Sequence, residues 1–404
     1  MCNAFHINRP RGKPNLLEPC VLAALSSIPD VSVYWDFDPA PTSVEMKMSE
    51  QSDVIAQVMQ SSMGRMVGDG LEVADIDEIL ERCSGWNDWY EVVTEIGDRY
   101  ESLAEQSLAG DSHISAGVNY WRACMYYHYA QFYMFERPDL REAGQKKKVA
   151  LYNQAAPLLF PPAERVDIPF DGFTIPGFLR KPIGIERPPC VVLIGGLEST
   201  KEESYLFEAM CHDRGLATFA FDGPGQGEMF FQTKIRPDFE RFTSAALDYL
   251  ETRDDIDPSK FGILGRSFGG YYAPRSAAHD KRIAACVCWG VMYELETYWW
   301  DMHDMTRNGF TYCAGETDPE KGREKLKFIN LSDCVEQIDC ALYLQHGMKD
   351  DLIPFTQAIQ LEKEAVNASE IITHYEPEGI HCCHNLYHTT RMPMADFLAR
   401  HLVQ

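Results

Sequence analysis

The chain is short of positive charge: 37 lysines and arginines stand against 61 aspartates and glutamates, a formal net charge of −24. Such a surface repels phosphate backbones and anionic lipid headgroups, and no basic run with interleaved aromatics offsets it. Neither nucleic acid nor a membrane is expected as a partner. No stretch reaches the roughly 20 apolar residues that a membrane-spanning helix needs. Arg9, Arg11 and Lys13 precede an apolar run at Val21–Leu25, but Glu18 and Pro19 interrupt the pattern, so a secretory leader is not expected. The thirteen cysteines include no C-x-x-C pair, and their odd number and scatter from Cys2 to Cys383 do not fit a disulfide framework. A bridge between the adjacent Cys382 and Cys383 would be strained. They read as reduced thiols of a cytoplasmic protein. Low-complexity tracts and internal repeats are also missing. What remains is 404 residues, 45% of them hydrophobic, enough for one large domain with an elaboration or for two domains.

From Val54 to about Ala156 glycine and proline are scarce, and apolar residues recur at three- and four-residue spacing, as in Trp86, Trp89, Val93, Ile96 and Tyr100. Ala109-Gly110-Asp111-Ser112 supplies a helix stop followed by cap residues. The spacing predicts an antiparallel helix pair, Trp86–Leu108 and Ser112–Phe135. The second helix carries Tyr120, Trp121, Tyr126, Tyr127, Tyr129, Phe132 and Tyr133. Those rings suit either a roof over an aromatic substrate or, more simply, packing between helices.

The pattern changes near Pro161. Val166–Phe170 and Phe173–Leu179 flank Asp171-Gly172, a strong signal for a tight β-hairpin. Short apolar runs then alternate with helical stretches: Cys190–Ile194, Ala217–Phe221, Phe261–Leu264, Ile283–Trp289, Ala341–Leu344 and Ile371–Tyr375. Runs buried on both faces and joined by crossover helices make a mostly parallel sheet, with the hairpin as its antiparallel edge. The division expected is a helical domain over 1–158 and a sheet domain over 159–404. A long aromatic and acidic segment, 290–327, breaks the rhythm and is expected near the helical part, because loops of that length are usually functional.

Gly265-Arg266-Ser267-Phe268-Gly269 directly follows one of the buried runs and precedes a helical stretch. A serine on a strained strand-to-helix turn needs small flanking residues, so this pattern in this place marks a nucleophile elbow. Pro274 should kink or end the helix that follows. A serine hydroxyl is a poor nucleophile at neutral pH and requires a base and an orienting acid, here in the order Ser, Asp, His along an α/β-hydrolase fold. The acid is Asp350, with Asp351 as the alternative, in the turn after Ala341–Leu344. The base is His381, the first histidine after the turn glycine Gly379 that follows Ile371–Tyr375. The oxyanion of an acyl-transfer intermediate needs amide donors, which Phe268 and the Gly195-Gly196-Leu197 turn supply, Leu197 in preference to Gly196. His384 and His388 recur at metal-like spacing, but no carboxylate cluster accompanies them, and no metal is expected. Asp222-Gly223-Pro224-Gly225-Gln226-Gly227 lacks the G-x-G-x-x-G spacing of a dinucleotide loop. No cofactor is implied, since a triad performs acyl transfer unaided.

Taken together, the elbow, Gly195-Gly196-Leu197-Glu198-Ser199-Thr200-Lys201-Glu202, the Asp222–Gly227 turn and His381-Cys382-Cys383-His384-Asn385 resemble the 2,6-dihydroxypseudooxynicotine hydrolase-like family of α/β-hydrolases. The resemblance covers most of Val166 to the C-terminus. It implies an N-terminal helical cap, a triad on Ser267, Asp350 and His381, a homodimer, and hydrolysis of a carbon-carbon bond beside a carbonyl. It also implies an auxiliary acid in the cap-side wall, for which Glu294 and Glu296 are the candidates. Such an acid has a use: a ketone releases a carbanion that must be protonated or leave as an enolate, whereas an ester releases an alkoxide that the histidine can protonate. The substrate expected is a small ketone or ester, aromatic in part. The competing functions are a carboxylesterase or thioesterase on the same scaffold, and a binding protein that has kept the fold.

Overall fold

Short runs of β-branched and aromatic residues form eight strands: β1 Ala163–Phe170, β2 Phe173–Arg180, β3 Pro189–Ile194, β4 Ala217–Phe221, β5 Asp257–Arg266, β6 Ile283–Trp289, β7 Ala341–Gly347 and β8 Glu370–Glu376. In a computed structural model that describes residues 62–403 they join one sheet, ordered β1-β2-β4-β3-β5-β6-β7-β8. The first hairpin turns at Asp171 and Gly172, both in the left-handed region with φ of 51° and 81°, and pairs β1 with β2 antiparallel. Strand β2 runs antiparallel to β4, and every later pairing is parallel. Strands β3 to β7 are buried almost throughout, as expected for parallel strands covered on both faces. The covering helices here are α5 Tyr205–His212, α6 Phe239–Glu251, α7 Gly269–His279, α10 Thr356–Glu364 and α11 Tyr387–Leu402, numbered after four N-terminal helices and two helices of the 290–327 segment.

Those four are α1 Val73–Arg82, α2 Trp86–Ala109, α3 His113–Phe132 and α4 Pro138–Ala155, preceded by a helical stretch at 62–68. The expected helix pair is present, with α3 three residues shorter at its end. Trp89 Nε1 near the start of α2 donates to the Tyr129 carbonyl near the end of α3 at 3.0 Å, so the two run antiparallel. The rings of α3 are core: Tyr120, Trp121, Tyr126, Tyr127, Tyr129 and Phe132 are all buried. Their hydroxyls are tied off, Tyr126 to Asp75, Tyr127 to Asp98 at 2.6 Å and Tyr129 to Asp69 at 2.8 Å. This answers the requirement that a buried phenol find a partner. The apolar run at Val21–Leu25, Cys2 and the helical pattern before Ser62 lie outside the described residues. Among the described residues, no helix is long and apolar enough to cross a membrane.

Two sequence expectations need correction. Pro274 does not break its helix; α7 runs through it. The proline sits one turn past the helix start, so the loss is confined to the single bond that its absent N–H would have made to the Gly270 carbonyl. The 290–327 segment is also not an irregular loop, since it folds into α8 Asp304–Cys313 and α9 Pro319–Leu326. Asp318 caps α9 by accepting the amides of Glu320 and Lys321.

A buried ionic network joins the N-terminal helices to the sheet. Arg266 Nη1 reaches Asp69 at 3.0 Å and Nη2 reaches Glu203 at 2.7 Å, while Arg65 bonds Glu203 at 3.0 Å. Asp69 is 2% exposed. Removing one partner strands the opposite charge in a dry site, at a cost of about 3–5 kcal/mol. Asp69→Asn should therefore lower the urea midpoint by that much free energy at unchanged slope; an unshifted midpoint would show that the network carries no net stability.

Candidate active site

The elbow follows directly from its glycines. A Cβ on Gly265 would stand 1.9 Å from the Gly269 carbonyl oxygen, and one on Gly269 would stand 2.5 Å from the Ile194 carbonyl oxygen, so only glycine permits the turn to close. Ser267 is held at φ 60° between β5 and α7, its amide donating to the Trp289 carbonyl at 2.7 Å. A serine in this sparsely populated region is strained, and the strain lifts its hydroxyl off the sheet.

The structure brings Ser267, His381 and Asp350 together from three separate loops. His381 Nε2 lies 2.8 Å from Ser267 Oγ, and His381 Nδ1 lies 2.9 Å from one Asp350 oxygen and 3.1 Å from the other. Asp350 Oδ1 also accepts the amides of Leu352 and Ile353, each at 2.9 Å. Those bonds fix the carboxylate, and Asp351 beside it faces solvent. Burial alone would raise the Asp350 carboxyl, but His381 and the backbone amides outweigh it and hold the group below its ordinary range. Burial would likewise lower the His381 pKa, yet the facing Asp350 carboxylate, with Cys382 contributing, holds it well above the ordinary histidine value. Cys382 and Cys383 take left-handed backbone at φ 51° and 48°. Trp289 secures that turn, its Nε1 donating to the Cys382 carbonyl at 2.6 Å and its own carbonyl accepting from Cys382 Sγ at 3.3 Å.

Opposite the serine, the amides of Phe268 and Leu197 have no acceptor among the described residues, an arrangement suited to a developing oxyanion. A Cβ built on Gly196 would lie 2.9 Å from Ser267 Cβ and 3.2 Å from Oγ. Gly196→Ala should thus displace the nucleophile by a few tenths of an ångström and lower kcat/KM by about 10- to 100-fold, since small misplacements of reacting atoms are costly. The check is steady-state kinetics beside a thermal melt, and a variant with full activity would mean that the turn does not abut the serine.

Sequence reasoning missed Gln226. Its Nε2 donates to both the Gly195 and Gly196 carbonyls, at 2.7 and 2.9 Å, and its Oε1 accepts from Gly223 at 3.0 Å. The Asp222–Gly227 turn therefore braces the Gly195–Leu197 turn. Asp222 itself meets Lys201 Nζ at 2.8 Å, and the same ammonium contacts Glu202 and Glu228 at 2.6 Å each. Glu202, Asp222 and Glu228 are close enough to ligate one ion, but the lysine stands where the cation would. His384 is buried against Trp289, His381 and Tyr387, while His388 is exposed.

Glu294 and Glu296 are both engaged with other side chains. Glu294 is buried, but its carboxylate accepts from Thr297 N at 3.1 Å, from the Thr297 hydroxyl and from Gln357 Nε2 at 3.3 Å. Glu296 is exposed and pairs with Arg323 at 3.2 Å. A further carboxyl near the site is Glu198, one residue past Leu197 and within electrostatic reach of His381. Burial pushes it above the ordinary carboxylic range against the pull of Arg65, Arg141 and His381. It was visible as part of the Gly195–Glu202 motif but had no local signal of its own. The 290–327 segment closes over this side, with Phe310 edge-on to Phe268 at 5.0 Å and Tyr312 against Phe135 at 5.7 Å.

A mostly parallel sheet with a serine elbow, a hydrogen-bonded Ser-His-Asp line and two free amides is an α/β-hydrolase. The chain matches the FrsA-like esterase family model over residues 46–303, and its residues 209–402 also match the prolyl oligopeptidase family. It belongs to the FrsA-like esterase family, and it is a hydrolase. It is 38% identical to the 2,6-dihydropseudooxynicotine hydrolase of Paenarthrobacter nicotinovorans over 87% of this chain and 94% of that one. The crystal structure of a 2,6-dihydroxy-pseudo-oxynicotine hydrolase superposes with a TM-score of 0.79, covering 84% of this chain and 96% of the other at 38% identity. A hydrolase of Aspergillus aculeatus is 31% identical over 51% of this chain and 54% of its own.

Proposed function

We propose that this protein is a serine hydrolase that cleaves a carbon-carbon bond beside a carbonyl, in a 1,3-dicarbonyl or acyl-aromatic ketone. The observation that carries the reading is the continuous Ser267–His381–Asp350 line facing two amides without acceptors. Ser267 Oγ attacks the ketone carbon as His381 takes its proton, and the resulting oxyanion rests on the Phe268 and Leu197 amides. Collapse breaks the carbon-carbon bond, and the electron pair passes to the α-carbon as an enolate, which receives the proton from His381. Water, deprotonated by the same imidazole, then releases the acyl group as a carboxylic acid and restores the serine. The choice of a carbon-carbon bond is supported by similarity along most of the chain to a hydrolase named for 2,6-dihydropseudooxynicotine.

The esterase description of the family favours a second reading, cleavage of esters or thioesters at the same serine. A matched panel of 1,3-diketones and esters separates them. The first reading expects kcat/KM for the best diketone to exceed that of its ester analogue at least about tenfold; fast ester turnover with no diketone cleavage would favour the second. The same proposal takes residues 1–158 as a cap and 159–404 as the catalytic domain, with the 290–327 segment between them. Cytoplasmic residence is supported by eleven cysteines that are free and buried among the described residues. A homodimer is the proposed assembly, and light scattering at the elution peak measures it.

A further inference from the structure

Beyond the Gly195–Leu197 turn, the helical layer and the sheet enclose a small pocket lined by Leu197, Glu198, Arg141, Gln145, Phe230 and Phe231. Some of its polar groups are left with bonding capacity unused. Gln145 is 4% exposed, and its Nε2 has no hydrogen-bond partner among the described residues. Arg141 is 9% exposed and uses only Nη1, which donates to the carbonyls of Gln131 at 3.0 Å and Phe132 at 2.8 Å. Among the described residues it makes no ion pair, and its guanidinium is clamped in place over Phe135 at 4.6 Å and Tyr312 at 5.3 Å. The Glu198 carboxyl is held by its own backbone amide and has Arg65 and Arg141 near it, with no other residue's side chain bonded to it among the described residues. Buried polar groups are almost always satisfied, and each one left unpaired is costly. The unpaired Gln145 amide, with the open guanidinium edge of Arg141 on the same helix and the Glu198 carboxyl on the turn after β3, forms a set that a ligand would complete.

The chemistry of that ligand follows from the donors. Arg141 offers a fixed positive charge with a free edge, and Gln145 offers an amide hydrogen. Burial raises the Glu198 carboxyl above its ordinary range, and its protonated form offers a hydroxyl hydrogen. Three donors and one net positive charge suit an acceptor-rich anion, and a planar guanidinium edge suits a carboxylate. We propose that this pocket is a carboxylate subsite, in which Arg141, Gln145 and Glu198 hold the acidic end of a substrate whose reacting carbonyl lies at Ser267. Leu197, next to Gly196 in the turn that abuts Ser267, also lines the pocket. The subsite makes Gln145 and Arg141 specificity-determining residues of the proposed acyl-transfer reaction, and its kinetic test rests on that reading.

The test compares the monophenyl ester of glutaric acid with phenyl pentanoate, of similar length but uncharged. Wild type should prefer the carboxylate-bearing ester at least tenfold in kcat/KM. Gln145→Leu should reduce that preference about tenfold and leave phenyl pentanoate within threefold. Arg141→Met should abolish the preference. Because Arg141 also caps carbonyls of α3, Gln145→Leu, which breaks no bond to a described residue, is the decisive variant. Glu198→Gln should retain the preference and Glu198→Leu should weaken it. Equal loss on both esters in these variants, or no preference in wild type, overturns the subsite. Fluorophosphonate labelling of Ser267 in the same samples keeps the two claims apart, since labelled enzyme without preference refutes the subsite alone. A binding arm needs no turnover: glutarate should raise the melting temperature of wild type and leave that of Gln145→Leu unchanged, and 1,5-pentanediol should shift neither. Equal shifts with glutarate in both proteins would also overturn it.

Discussion

Ser267→Ala should lower kcat by a factor on the order of 10⁵ while leaving the fold intact. The hydroxyl contributes to catalysis alone: among the described residues its one hydrogen bond is to His381 Nε2, and the turn that carries it is held by backbone bonds of residues 267 and 270. Removing the oxygen therefore strands no buried polar group other than an imidazole that remains bonded to Asp350. The melting temperature should stay within a few degrees of wild type, a shift equivalent to about 1 kcal/mol or less. What activity persists would come from the free amides and from substrate binding. Kinetics and a thermal melt on one preparation check both halves; substantial turnover in the alanine variant would move the nucleophile elsewhere.

Asp350→Asn should cost about 10⁴ in kcat and should also move the pH profile. His381 works as a base only when neutral, so kcat/KM rises with pH through the His381 pKa of the free enzyme. In wild type that pKa lies well above the ordinary histidine value, because the Asp350 carboxylate favours the imidazolium more than burial opposes it. Asparagine removes the charge and leaves the burial, so the folded pKa falls and the acidic limb shifts to lower pH. The lower plateau has a second cause: an amide at this position no longer enforces the tautomer that puts a lone pair on Nε2 toward Ser267. A pH series on the variant reads both effects. A reduced rate with an unmoved limb would mean that His381 is oriented by Asp350 but not charged by it.

The parts of this molecule that were legible beforehand are those encoded by neighbours in the chain. A hairpin turn is written in Asp171-Gly172, buried strands in runs such as Cys190–Ile194, and an elbow in two glycines around Ser267. The triad could be read because each member follows directly on a strand, which fixes its place without knowledge of the rest. The partners of Glu294 and Glu296 are not local: Gln357, 63 positions on, binds the first, and Arg323, 27 positions on, the second. Gln226 reaches back about 30 residues to brace the Gly195–Leu197 turn. Arg266 and Asp69 are separated by 197 positions, and no local spacing announces their pairing. The pocket of Arg141, Gln145 and Glu198 is hidden for the same reason, since two of its members lie on α4 and one on the turn after β3.

Pro274 teaches the complementary lesson. The local rule against proline in a helix is real, but its cost here is one backbone hydrogen bond near the helix start, set against ten buried residues of α7 packed under the elbow. The same tertiary preference decides the rings of α3, where Asp69, Asp75 and Asp98 receive the phenols and make them structural.

The most direct test of the central claim is rapid-quench mass spectrometry with a 1,3-diketone as substrate. On mixing in the millisecond range and quenching in acid, the peptide containing Ser267 should gain the mass of the acyl half of the diketone. The adduct should decay as the carboxylic acid appears, and it should be absent from Ser267→Ala. Steady cleavage of the diketone with no adduct on that peptide at any time would contradict an acyl-serine route, and with it the account of how this site breaks a carbon-carbon bond.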